Sequence, residues 1–435
     1  MKTNTSFSKP LQDLQRREMN IYMCGPTVYN FIHIGNARPA VLADMFVRFL
    51  KSKKTQINYL QNITDIDDKI INKAIEENIS EKEIAEKFTK AYLEDLDSLN
   101  VMRPNKITPI SEKMPEMISF IEQLINNGSA YEVDGDVYFD VLKFENQYGK
   151  LANKKLDELI VGERIAVDVK KKSPYDFSIW KKTNVGITWD SPFGKGRPGW
   201  HTECAVLIDD YFNSQTIDIH FGGIDLKFPH HENERIQFIA KNQAEIANVW
   251  MHNGHVTIED EKMSKSLGNT ILVRDFVSEN GPDLLRWVFM TTHFRQPLNI
   301  NQDIIEQGKK FFVKLINIKK KITMALISGL VNQTNEIDET SYNTFSEYMR
   351  NDLNTSMVLT LIDEMMKDIN KDNNILKYNT LQIICNEILG FIFDFKITFT
   401  KDDQNLYQKW KQFLVEKDFD AADQIREQLI ERNLI

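Results

Sequence analysis

Cysteine is scarce in this chain. It has three, Cys24, Cys204 and Cys385, in 435 residues. An odd, sparse count does not build a disulfide framework, so metal binding or plain burial is the expected use of each thiol. A basic excess is missing as well. The formal net charge is -9, which excludes a general nucleic-acid-binding coat and leaves only local patches for RNA contact. There is no long apolar run and no signal-peptide pattern, so no membrane span is expected and the chain is expected in the cytoplasm. No internal repeat or low-complexity tract stands out. A chain of this length is expected to form about three domains, and a sizeable core is easily built.

What is present centres on Ile21 to Pro39, IYMCGPTVYNFIHIGNARP. A short apolar run ends at Cys24, and Gly25-Pro26 turns the chain. Ala40, Val41, Ala43, Met45, Phe46, Phe49 and Leu50 then recur at helical spacing. A strand, a loop and a helix start are expected in that order. Ligands of open α/β sheets sit at such crossings, and a helix start favours phosphate through its unpaired N–H groups and partial positive charge. Gly35 lets a nucleotide approach the backbone. His33 and Asn36 can each donate to phosphate oxygens.

A second stretch, Lys262-Met263-Ser264-Lys265-Ser266 followed by Leu267-Gly268-Asn269, sets two lysines on a Ser/Gly-rich loop. Together the two stretches resemble the HIGH and KMSKS signatures of class I aminoacyl-tRNA synthetases. The second match is complete. The first departs at its last position, where Asn36 keeps a donor but cannot become a cation.

The rest of the chain divides by pattern. Ile57 to Leu60 reads as a strand, and the segment after it contains Asp65, Asp67 and Asp68. Thr64 or Asp65 is expected to cap the helix carrying Ile70, Ile71, Ala74 and Ile75, with an acid of this group left over for substrate polar groups. Ala130 to Val133 and Asp136 to Val141 flank Asp134-Gly135, a strong hairpin signal. Asp218 to Phe221 reads as a strand running into Gly222-Gly223-Ile224-Asp225, which suits ribose or adenine contact or else a plain turn. After about residue 300 the pattern is helical. Phe311, Leu315, Ile318 and Ile322 share one face, with Lys309, Lys310, Lys314, Lys319, Lys320 and Lys321 as a solvated or phosphate-facing side. Further helices are expected at Met357–Met366, Ile383–Ile392, with Cys385 a core thiol, and Glu416–Leu429.

The expected fold class is α/β: a Rossmann-type doubly wound parallel-sheet catalytic domain, split by an insertion and followed by an α-helical bundle. The expected boundaries are 1–105 and 199–255 for the two catalytic halves and 106–198 for the connective insertion. The lysine loop and its link take 256–300, a helical anticodon-binding bundle 301–400, and a small terminal segment 401–435.

Cys24, Cys204, His230 and Glu234 form a metal hypothesis. His230 and Glu234, four apart, share a helix face, and in a doubly wound fold both cysteines can reach one cleft. Two thiolates, one imidazole and one carboxylate suit Zn²⁺. His231 with Glu234 serves almost as well at this level, and the plain reading is two buried thiols beside a capped helix.

Cys24 within CGPTVY, the TDIDDK string, Cys204 within GWHTEC, FPHHENE, KMSKSLGN, the NDLNT string and AADQIREQL together resemble the cysteinyl-tRNA synthetase family, over nearly the whole chain. The resemblance implies Cys24, Cys204, His230 and Glu234 as zinc ligands, and activation of L-cysteine by ATP followed by transfer to tRNA(Cys). It implies His33, Asn36, Lys262 and Lys265 as catalytic residues. ATP is expected against these four with Thr27, Gly35, Gly223 and Asp225, and with Mg²⁺. Substrate is expected against Cys24, Gly25, Thr64, Trp200 and His220. Members are mostly monomeric, so one chain is expected to suffice. They usually continue past the position of Ile435 with a Gly- and Trp-containing tail, so the anticodon contacts of such a tail stay open here. Two rival readings stay open: a related ligase joining cysteine to an amino sugar, which needs no anticodon domain, and an RNA-binding module whose zinc is structural.

Overall fold

The computed structural model describes residues 17–156, 158, 170–263, 269–432 and 434. They form two compact units. The first comprises Met1–Thr257, Lys262–Ser278 and Arg295–Leu298, the second Ile258–Glu261, Glu279–Phe294 and Asn299–Ile435.

Two sheets organise the first unit. In chain order its strands are β1 (Glu18–Met23), β2 (Gln56–Ile63), β3 (Lys106–Pro109), β4 (Ala130–Val133), β5 (Asp136–Phe139), β6 (Phe177–Lys182), β7 (Gly196–Pro198), β8 (Ile217–Gly223) and β9 (Ala247–Asn253). β3-β2-β1-β8-β9 make an all-parallel sheet. Its central strands are buried on both faces, as crossover helices require: Ile21, Tyr22, Leu60, Ile217 and Ile219 are all fully enclosed. Sequence order reverses beside β1, between β2 and β8, so a crevice opens beyond the carboxyl ends of β1 and β8. The helix Ile34–Ser52 starts at that crevice.

The segment between β3 and β8 folds β4-β5-β6-β7 into an antiparallel sheet. Its first hairpin turns at Asp134 and Gly135, both at positive φ, as a two-residue turn matched to strand twist demands. Val137, Phe139 and Trp180 of this sheet share one core with Ile208, Ile236 and Trp250 around the parallel sheet. The insertion is thus packed into the unit rather than hung from it.

In the second unit the helix Gln302–Ile327 buries Phe311, Leu315, Ile318 and Ile322 as the periodicity predicts. It also buries Gly308, where a Cβ would come within 2.2 Å of Leu284. Cys385 is fully buried. Two expected helices shift. Instead of Ile383–Ile392, the chain is helical over Ile375–Gln382 and continues as a wider turn to Ile388, and Gly390 at φ 72° ends it. Instead of one helix from Glu416, there are two, Lys401–Glu416 and Phe419–Glu431. Left-handed Lys417 breaks them, and Asp418 caps the second by accepting from the Ala421 N–H.

Neither Thr64 nor Asp65 caps the helix Asp68–Glu77. Asp67 does, accepting from the Lys69 N–H at 2.8 Å. Asp65 accepts from the Ser111 N–H and hydroxyl, and Asp68 pairs with Arg197 and Lys181. All three acids therefore have partners within the protein. Among the described residues no helix is long and apolar enough to cross a membrane.

Candidate active site and metal centre

Four donors meet where β1 and β8 end. Cys24 follows β1 directly, and its N–H donates to the Phe221 carbonyl of β8 at 3.3 Å. Cys204 lies in the first turn of the helix Glu203–Tyr211. His230 and Glu234 follow β8, on a helical segment that runs into the helix Glu232–Asn242. The Sγ atoms of Cys24 and Cys204 are 3.6 Å apart, and Cys204 Sγ is 3.6 Å from His230 Nε2. Glu234 Oε1 is 3.7 Å from Cys24 Sγ and 2.9 Å from His230 Nε2.

With Zn–S bonds of about 2.3 Å and Zn–N or Zn–O bonds of about 2.0–2.1 Å, a tetrahedral ion sets sulfurs about 3.8 Å apart and sulfur about 3.5 Å from nitrogen or oxygen. The three spacings that involve sulfur agree with this to a few tenths of an ångström. Cys204, His230 and Glu234 are buried, and Cys24 is half-buried. Two thiolates, an imidazole and a carboxylate form a borderline-soft set that suits Zn²⁺.

A second grouping shares two of these residues: Cys24, His220, His231 and Glu234. His231 Nε2 is 3.3 Å from Cys24 Sγ but 4.0 Å from Glu234 Oε1. His220 Nε2 is already bound to the other carboxylate oxygen of Glu234, at 2.8 Å, and His231 Nδ1 to His252 Nε2, at 2.8 Å. The first tetrad has two sulfurs, and its sulfur spacings fit the ion, so it is the better zinc cage. His220 then acts as a support that orients Glu234, and His201 Nδ1, 3.2 Å from His230 Nδ1, orients His230 in the same way.

Charge is finely placed here. Burial works against ionisation of Glu234, yet His230, His220 and His231 hold its carboxyl well below the usual range. Burial opposes a proton on His230, but Glu234 and Cys204 bring it up to about 10. Burial, then Cys204 and Glu234, push the Cys24 thiol well above its ordinary value. Burial and the neighbouring His230 press His201 down to about 3.

A cavity of about 450 Å³ runs from this cage to the start of the helix Ile34–Ser52. Cys24, Gly25, Thr64, Trp200 and His230 line one part of it, and Thr27, His33, Gly35, Asn36, Gly223 and Asp225 another. The indole of Trp200 stacks on the His230 ring, centroids 4.1 Å apart. Gly25 donates its N–H to Asn62 Oδ1 at 2.6 Å. The Thr64 hydroxyl donates to Glu203 Oε2 at 2.6 Å. His220 is among the expected substrate contacts, but it sits behind Glu234 and is not part of the cavity wall.

His33 caps its helix in a reciprocal box. The Asn36 N–H donates to His33 Nδ1 at 3.3 Å, and the His33 N–H donates to Asn36 Oδ1 at 3.2 Å. Acceptance at Nδ1 puts the ring proton on Nε2, and acceptance at Oδ1 leaves the Asn36 amide NH₂ as that side chain's donor. The box thus orients two donors at a helix N-terminus. Of the lysine loop, Met263 lines the cavity. Lys265 and the Lys262 side chain lie outside the described residues.

The spacing of motifs did not single out Tyr22 or Asn62. Tyr22 donates to Asn62 Oδ1 at 2.9 Å, so one amide oxygen takes both this hydroxyl and the Gly25 N–H. The one hint in the sequence was the position of Asn62 at the end of a strand.

A family model described as tRNA synthetases class I (C) catalytic domain matches residues 10–310. The chain is 55% identical over 442 residues to the cysteine–tRNA ligase of Mycoplasma mycoides subsp. mycoides, with the whole of both chains covered. It is 40% identical over 451 residues to the cysteine–tRNA ligase of Staphylococcus haemolyticus, covering all of this chain and 96% of that one. The solved methionyl-tRNA synthetase of Mycobacterium tuberculosis, in complex with methionyl-adenylate, superposes with a TM-score of 0.64 at 14% identity, over 85% of this chain and 89% of that one. The last likeness speaks for the fold alone.

Proposed function

The chain belongs to the cysteine–tRNA ligases of class I, and from that membership we propose that its cavity joins L-cysteine to ATP and passes the cysteinyl group to the terminal adenosine of tRNA(Cys). The observation that carries this reading is the cage of Cys24, Cys204, His230 and Glu234 opening into the same cavity as the His33–Asn36 helix start. Amino acid and triphosphate then meet in one enclosed space.

Bound in that cage, zinc would supply a borderline-soft Lewis acid that favours a thiolate over the hydroxyl of serine and finds nothing on alanine. Around it the chain orients the substrate. Trp200 closes the cage side of the cavity, and the Gly25–Asn62 contact holds the loop after Cys24 against β2. The substrate carboxylate attacks the α-phosphate in line, the bond to the β-phosphate breaks and pyrophosphate leaves, and negative charge builds on the phosphate oxygens on the way. Fixed donors stabilise it: His33 Nε2–H, the Asn36 amide and the two lysines, Lys262 and Lys265. Asn36 contributes a dipole where the more usual motif has a cation, so the lysines carry more of that burden. Gly223 and Asp225 take the ribose, Thr27 and Gly35 accommodate the nucleotide, and Mg²⁺ accompanies the triphosphate.

The helical unit is assigned to tRNA. Its lysine-rich helix offers less free charge than its sequence suggests. Lys309 pairs with Glu306, Lys314 with Asp363 and Lys319 with Asp394. Lys310, which is exposed, is the strongest remaining phosphate contact on that helix. Membership of a mostly monomeric family supports a monomer working in the cytoplasm.

The test is cysteine-dependent exchange of pyrophosphate into ATP by the purified protein, repeated with serine. Exchange with cysteine is expected, with discrimination against serine of order 10⁴. Cys204→Ser is expected to lose metal and most of that discrimination together. Loss of metal with selectivity intact would reject the metal-reading proposal. Charging of tRNA then separates this activity from joining cysteine to an amino sugar.

A further inference from the structure

Arg38 is fully buried, yet it pairs with no carboxylate among the described residues. Its Nη1 donates to three backbone carbonyls: Gly254 at 2.7 Å, Gln296 at 3.1 Å and His255 at 3.4 Å. Its Nε and Nη2 have no hydrogen-bond partner among the described residues. Burial alone pulls its guanidinium down to about 10. A buried cation held only by carbonyls is an expensive way to fill space, since an apolar side chain of similar volume would avoid the desolvation.

The three carbonyls lie at a backbone crossing. A Cβ on Gly254 would stand 2.3 Å from the Gln296 oxygen and 2.7 Å from Pro297 N, so the two strands of chain touch there. The Leu298 N–H donates to the His255 carbonyl at 2.9 Å across the same crossing. Close contact crowds carbonyl dipoles, and one guanidinium answers all three.

Position gives this crossing its meaning. Gly254 and His255 leave β9 on the way to the Lys262–Asn269 loop. On the far side of that loop the chain is fixed to the start of Arg38's own helix. The Ile34 N–H donates to the Ile271 carbonyl at 3.0 Å, and the Val273 N–H donates to Ile32 at 3.1 Å. One helix start therefore holds the chain both before and after the lysine loop, and also presents His33 and Asn36 to the cavity.

We propose that Arg38 is a positioning residue for ATP: through the carbonyls of Gly254, His255 and Gln296 it sets the approach of the lysine loop relative to the His33–Asn36 helix start. It touches no substrate itself. The inference rests on the proposed role of Lys265. A lysine ammonium at position 38 ends about one bond short of the place Nη1 takes, so it cannot reach all three carbonyls as Nη1 does.

The test is a double-mutant cycle in pyrophosphate exchange on the full-length protein, with Arg38→Lys, Lys265→Ala and both together. Arg38→Lys is expected to lower kcat/KM for ATP at least tenfold, with zinc per chain and the KM for cysteine changed less than twofold. In the Lys265→Ala background the same substitution is expected to cost less than threefold more, because the group it positions is gone. A folded Arg38→Lys protein with unchanged ATP parameters overturns the proposal, and so do losses that simply multiply. If Lys265→Ala is itself harmless, the proposal falls together with the lysine assignment under it, whereas multiplying losses leave that assignment standing. Arg38→Gln, which buries no charge, replaces the lysine variant if that one does not fold.

Discussion

A methyl group on Gly25 would sit 1.8 Å from the Asn62 carbonyl oxygen. No rotamer relieves a clash with backbone. Gly25→Ala is therefore expected to push the Cys24 loop off β2, costing about 1–3 kcal/mol of stability and raising the KM for cysteine more than that for ATP. Thermal unfolding together with exchange kinetics checks both, and equal effects on the two substrates would refute the local picture. At this scale the sequence was informative where chemistry is rare. Three cysteines and a His-His-Glu-Asn-Glu run leave few ways to compose a zinc site. It was silent about Asn62, whose oxygen serves Tyr22 and Gly25 from 40 and 37 positions away. It did not show that His220, expected against the substrate, stands behind Glu234, a place that depends on how β8 meets the following helix.

At the scale of elements, local rules were the readable ones. The Asp134-Gly135 hairpin formed where its turn residues required, because the turn constraint spans only two residues. The helix ends near Ile388 and Lys417 were less legible, since a left-handed lysine leaves no trace in hydrophobic period. The acids of the TDIDDK string show how an element absorbs a suggestive motif. Asp67 is a helix cap, so Asp67→Ala is expected to cost about 1 kcal/mol and to leave KM for cysteine and ATP within twofold. Denaturant unfolding and exchange kinetics measure both, and a large change in either KM at unaltered stability would return this acid to the substrate. The lysine-rich helix follows the same logic, because its lysines meet Glu306 on the same helix, Asp363 on another helix and Asp394 in a loop.

At the scale of the molecule, the metal cage joins three distant stretches of the first unit: the end of β1, the helix before β8 and the helix after it. An ion bound there would link segments about 200 residues apart in sequence. Its removal with a chelator is expected to lower the stability of the first unit by about 4 kcal/mol when free zinc had stood about 1,000-fold above its dissociation constant. The second unit has no part in the cage, so its unfolding is expected to stay put. Calorimetry with and without chelator checks this, and two transitions that shift equally would contradict it. Sequence alone determined the fold class and supplied the candidate nucleotide motifs and metal donors, because residue type and local pattern carry that much. Tertiary structure alone decided which histidines bind and which support, which acids merely hold the chain together, and that a buried arginine pins the lysine loop's approach. Those roles arise from contacts between residues tens to hundreds of positions apart, and no local pattern encodes which backbone carbonyls a side chain will face once the sheet has closed.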